Sequence, residues 1–143
     1  MRTLPLALVA VLSMGVARAD VAPPPPDTGE GTWYGSMRQV NSEGEERYPM
    51  TLVLSEHGGA TDYPKLRCGG ELERLGSASG GYVIYKETIT RGAFDKRKGD
   101  GCVDGVVIIH AENDALVLGW FGAFDGEPML ASARLTRGQF DSR

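Results

Sequence analysis

Between Trp33 and Thr136 the chain repeats in twos. Trp33, Gly35 and Met37 alternate with Tyr34, Ser36 and Arg38, and Met50, Leu52 and Leu54 alternate with Thr51, Val53 and Ser55. Near the end, Leu130, Ser132 and Arg134 alternate with Ala131, Ala133 and Leu135. Residues two apart share a face of a strand, whereas a helix repeats near 3.6, so the pattern calls for strands. Tyr82 to Thr90, Cys102 to His110 and Ala115 to Phe121 are rich in the branched and aromatic residues that suit a pleated surface. Glycine, asparagine and aspartate clusters separate these runs: 41–44, 58–59, 76–81, 98–101, 112–114 and 125–126. Ala93 to Lys98 is the one stretch that suits a short helical turn, before Gly99.

Strands are therefore expected to begin near 32, 47, 59, 66, 80, 102, 114 and 128, about eight at close spacing. The fold class is all-β and antiparallel. An up-and-down closed barrel, lipocalin- or avidin-like in shape, is preferred to a two-sheet sandwich, because hairpins fit the loop lengths and closure removes exposed strand edges. Such a barrel is just wide enough either to fill with side chains or to hold one small ligand.

The ends of the chain read differently. Residues 1–19 carry an early Arg2, an apolar run from Leu4 to Val16, and Ala17-Arg18-Ala19 before Asp20, the signature of a signal peptide. Residues 20–31, with Pro23 to Pro26 in a row, suit an extended spacer that cannot join a sheet ladder. The single domain is expected over 32–137, with a frayed tail over 138–143. The product is expected in the periplasm or secreted.

The first nineteen residues hold two of the fifteen basic side chains and none of the nineteen acidic ones, so the remainder carries a formal charge of −6. That sign argues against nucleic acid and an anionic membrane surface. No run after the leader approaches the roughly 18 apolar residues that span a bilayer, so no membrane insertion is expected after cleavage.

Cys68 and Cys102 are the only two cysteines. In an exported chain they read as a disulfide across a loop of about 35 residues. Cys68 lies in the most distinctive segment, Tyr63-Pro64-Lys65-Leu66-Arg67-Cys68-Gly69-Gly70-Glu71-Leu72. Pro64 lacks a backbone donor and Gly69-Gly70 permits a close backbone approach, so the segment reads as a strand pinned at a sharp bend.

This segment, preceded by Gly31-Thr32-Trp33-Tyr34-Gly35 and followed by Glu87-Thr88-Ile89 and Cys102, resembles an uncharacterised group of small bacterial exported β domains with a YPxLxCGGxL segment and a second downstream cysteine. The resemblance covers roughly 32–136; Arg67 stands at a position that the pattern leaves open. It implies a compact exported β domain and carries no catalytic residue.

Glu87 sits in a strand otherwise built of Tyr, Ile and Thr. Facing inward, its carboxylate would need a cation such as Arg67 or Arg91, and the even spacing from Glu87 to Arg91 lets those two share a face. A structural ion pair is the plainer expectation; a polar anchor inside a ligand cavity is the sharper one. Trp33, Trp120 and Phe121 are candidates for a cavity wall. The candidate ligand contacts are thus Trp33, Arg67, Glu87, Arg91 and Trp120. His57 reads as an exposed loop residue and His110 as a strand-end residue at the rim.

No G-x-S-x-G, H-E-x-x-H or phosphate-binding loop occurs. Asp100, Asp104, Asn113 and Asp114 do not have the spacing of an EF-hand loop. No catalytic residue, metal or cofactor is assigned. The function expected is a non-catalytic binding or interaction module for a small ligand or an exported protein. The alternatives are a hydrolase with Glu87 as general base, or an inhibitor of another exported protein.

Overall fold

The computed structural model describes residues 29–138. The expected signal peptide, the proline run and residues 139–143 lie outside them. Eight strands follow in order: β1 (Gly31–Asn41), β2 (Gly44–Leu54), β3 (Gly58–Tyr63), β4 (Cys68–Ala78), β5 (Tyr82–Arg91), β6 (Gly105–Glu112), β7 (Ala115–Phe124) and β8 (Glu127–Arg137). Each pairs antiparallel with the next, and β1 closes on β8, so the sheet is an up-and-down barrel.

Strands β4, β5 and β6 start two or three residues later than the periodicity suggests. β4 begins at Cys68, because Pro64–Leu66 form one 3-10 turn that Arg67 ends in the left-handed conformation (φ 56°). That is the sharp bend expected of the segment. β6 begins at Gly105, because Cys102 is held in the loop 92–104 by a parallel bridge to Ala93. The helical turn expected over 93–98 is instead a tight turn around Asp95, whose carbonyl accepts from Lys98 N (3.1 Å) and Gly99 N (2.8 Å).

The loop 92–104 lies at one end of the barrel, with the β1–β2 hairpin, the 3-10 turn and the β7–β8 turn. Three restraints hold it there. Cys68 and Cys102 are disulfide-bonded, with Cα atoms 6.0 Å apart. The Phe94 ring meets Phe124 edge-on, centroids 4.3 Å apart. Beyond the last β5–β6 pair, Glu87 with Gly105, Asp104 Oδ1 accepts from Ile89 N at 2.8 Å and so takes over the lost ladder bond.

At the other end Trp33, Leu52, Leu54, Ile109, Leu116 and Leu135 are buried together, each at most 4% exposed. Gly29, at the end of the expected spacer, is buried there and accepts the Trp33 indole N–H at 2.5 Å. Arg137 lies over the outer side of that indole, 4.6 Å from the ring centroid. Gly29 and Gly31, expected in the spacer, thus belong to the barrel, and Trp33 stands at this end beside a pocket of about 480 Å³ that Gly29 and Leu116 also line.

The disulfide joins residues 34 apart, and closing such a loop in the unfolded chain is worth about 3–4 kcal/mol. Cys68→Ser is expected to lower the melting temperature by roughly 10 °C or more, given about 4–8 °C per kcal/mol for a domain near this size. Differential scanning calorimetry of the oxidised protein and the variant reads this; equal melting temperatures would remove the disulfide as a stabilising element.

Candidate functional site

Glu87 points into the barrel from the middle of β5 and is 1% exposed. Among the described residues no arginine or lysine forms an ion pair with it. Its Oε1 accepts from Thr61 Oγ1 (2.5 Å) and Tyr63 Oη (2.9 Å), and its Oε2 accepts from Trp120 Nε1 (2.7 Å). The Thr61 hydroxyl itself accepts from Gly70 N at 3.2 Å, which leaves its proton for Glu87. The indole N–H can only donate. Every neighbour therefore offers a proton to the carboxyl group, the arrangement that a buried acceptor needs when no counter-charge is present.

Thr61 and Tyr63 stand on β3, Glu87 on β5 and Trp120 on β7, so strands β4 and β6 lie between the partners. Those intervening strands carry glycine where the contact crosses them. In β4, a Cβ on Gly70 would lie 3.3 Å from Glu87 Cγ and 2.5 Å from the Thr88 carbonyl oxygen. In β6, Gly105 pairs with Glu87 on one side and with Gly122 on the other. A Cβ on Gly105 would stand 2.5 Å from the Trp120 ring, and one on Gly122 would stand 2.3 Å from it. The indole lies across this bare stretch of wall, and that brings its N–H to Glu87.

The expected partnership of Glu87 with Arg91 or Arg67 is not formed. Between β4 and β5 the register shifts: Gly70 pairs with Ile89 but Gly69 pairs with Arg91, so Thr90 is an extra residue. Such a bulge resets the alternation by one residue. Arg91 therefore comes out on the outer face, crosses bare Gly69 and pairs with Asp62. Both groups of that pair are largely solvent-exposed, which limits its value to about 0–1 kcal/mol. Arg67 is exposed at the barrel rim, away from the Glu87 carboxylate.

Above Glu87 the barrel is hollow. A cavity of about 940 Å³ opens between the loops at this end, and its wall includes Tyr48, Tyr63, Glu87, Ile89 and Trp120. Of the expected ligand contacts, the structure brings Arg67, Glu87 and Trp120 to this one cavity; Trp33 and Arg91 are elsewhere. Phe121 is half exposed on the outer face and is not a cavity residue. His57 is exposed in its loop, and His110 stacks on Tyr82 with centroids 4.7 Å apart.

Sequence reasoning missed Tyr48, Thr61 and Tyr63. Tyr63 sits at the head of the most distinctive segment, and Tyr48 alternates with Met50 and Leu52; those were the available signals. Tyr48 donates to Gln39 Oε1 at 2.6 Å and packs edge-on against Tyr63, centroids 6.0 Å apart. Burial, with the charges of Glu46 and Glu87, pushes the Tyr48 phenol up to about 12. Burial first, and then the Glu87 charge, holds Tyr63 well above the ordinary tyrosine value. Among the described residues no three His, Cys, Asp or Glu side chains converge as a metal-binding group. The chain matches no protein-family model, no curated protein and no solved structure.

Two predictions test this network. In Glu87→Gln the amide oxygen can face Thr61 and Tyr63 only if its NH2 faces the Trp120 N–H, donor against donor. An unpaired buried donor costs about 1–3 kcal/mol, so the melting temperature is expected to fall, and by less when Trp120→Phe has removed the opposing donor. A double-mutant cycle by chemical denaturation measures this; additive losses would show that the indole and carboxylate act independently.

Alkaline pH probes the phenols. Both are essentially neutral in either state below about pH 9, where unfolded tyrosine, with its value of about 10, begins to ionise. From there to about pH 12 the unfolded chain releases protons that folded Tyr48 and Tyr63 retain, so stability is expected to fall across that window. Absorbance titration near 295 nm is expected to show late ionisation that Tyr48→Phe and Tyr63→Phe each reduce; ionisation of every tyrosine near pH 10 would contradict it.

Proposed function

We propose that this chain is an exported, non-catalytic binding module of the periplasm or cell surface, and that its ligand enters the open end of the barrel. The observation that carries the reading is the cavity itself. At about 940 Å³ it has the size of small-molecule sites, and below a polar, charged rim it joins apolar and aromatic side chains to a single buried charged group. At the opposite end buried side chains fill the interior and a smaller pocket of about 480 Å³ lies beside Trp33, so the larger hollow belongs to the Glu87 half.

Three features support export. The leader has the form of a signal peptide, a disulfide ties the loop over the cavity, and the sequence resembles the exported β domains with the YPxLxCGGxL segment. The outward faces carry Arg38, Glu73, Lys86 and Arg134 while the inward faces are apolar, the reverse of a membrane barrel.

A hydrolase using Glu87 as general base has less support. The nearest hydroxyl, Thr61, is 5% exposed and lies outside the cavity wall. Glu87 already accepts three protons' worth of hydrogen bonds. One observation favours a protein partner, as for an inhibitor. Val40, Phe121 and Leu130 stand side by side across β1, β8 and β7 on the outer face, 43–57% exposed.

Native mass spectrometry of the protein purified from its own compartment is expected to show an extra mass of a few hundred daltons that Trp120→Ala loses. A bare chain mass together with a co-purifying protein would favour the outer-face reading instead.

A further inference from the structure

We propose that the ligand of the barrel cavity is a small organic cation, an ammonium group on an aromatic or alkyl body, with Glu87 as its counter-ion. This rests on the binding-module reading and names the chemistry of the same site. Glu87 is 1% exposed, and its three partners are neutral donors. A carboxylate has about four acceptor positions, and Oε2 here receives a single bond, from Trp120, so it retains room for a further donor. A buried anion without a cation carries an uncompensated desolvation cost, and a bound ammonium would offset it. Among the described residues the chain's own candidates do not: Arg91 is turned outward to Asp62, Lys65 is held by Glu46 at the rim, and Arg67 is exposed at the rim with no ion pair to Glu87.

The surroundings have the same preference. Tyr48, Tyr63 and Trp120 form the wall beside the carboxylate, and aromatic faces attract ammonium groups. The cavity and its rim carry Glu43, Glu46, Glu87, Asp100, Asp125 and Glu127 against only Lys65 and Arg67, an excess of four negative charges. A concave site with low-dielectric walls concentrates such a field and draws cations inward. An anionic ligand would find one unpaired cation at the rim among the described residues, Arg67, and would meet the Glu87 charge at the floor.

Isothermal titration calorimetry at low salt and neutral pH, with three probes of one shape, tests this. The probes are phenethylammonium, phenethyl alcohol and 3-phenylpropionate. The ammonium is expected to bind at least tenfold more tightly than the alcohol, and the carboxylate least of all. Glu87→Gln is expected to remove the preference for the ammonium over the alcohol. Arg67→Asn keeps a residue tolerant of the left-handed backbone at an exposed rim position, so it serves even if Glu87→Gln does not fold. It is expected to tighten ammonium binding severalfold. Equal binding of the three probes, tighter binding of the carboxylate, or a loss on Arg67→Asn would overturn the cation inference and leave the binding module standing. No binding of any probe up to millimolar concentration would overturn both.

Discussion

A lone carboxylate inside the barrel sets the terms for what surrounds it. Glu87 is buried with no cation beside it, and the cost of that position is met by three neutral donors from two other strands. The donors come from strands that do not neighbour β5, so their side chains must cross the strands between. Gly70 and Gly105 make the crossing possible by leaving the inner wall bare. The same need explains why the large indole of Trp120 lies flat across two glycines, with its N–H at the carboxylate.

This network divides the barrel into two halves of different character. Below it, Trp33 and branched aliphatic residues are buried together, and Gly29 accepts the indole N–H. Above it, phenols, a carboxylate and the loop 92–104 surround a hollow. Apolar residues could have filled that space without leaving polar groups to satisfy. A polar floor under an open mouth is the feature on which the proposed binding role rests, and the disulfide and the Phe94–Phe124 contact hold the long loop in place beside it.

The two tryptophans show how similar local sequence diverges in role. Gly31-Thr32-Trp33-Tyr34-Gly35 and Gly119-Trp120-Phe121-Gly122 look like echoes of one another, and both indoles do point inward. One is satisfied by a backbone carbonyl at the filled end, the other by Glu87 at the floor of the cavity. Their separation comes from their positions along strands that both run toward the barrel mouth, Trp33 near the start of β1 and Trp120 past the middle of β7.

The strands, their antiparallel order, the closed barrel and the Cys68–Cys102 link were legible in the sequence, because alternation, turn residues and cysteine count are local or nearly local signals. The inward direction of Glu87 was only a condition in the sequence, and its partners were not legible. Arg91 has the right spacing to share its face, but the extra residue Thr90 at a bulge turns Arg91 outward, and no residue type announces that shift. Thr61, Tyr63 and Trp120 lie 24 to 33 residues from Glu87 and two strands away, so only the register of the closed sheet brings them together. Local chemistry therefore determined which residues form strands and which faces turn inward. The cross-strand register, which depends on every turn and bulge at once, decided which of those faces meet and where the interior is left empty.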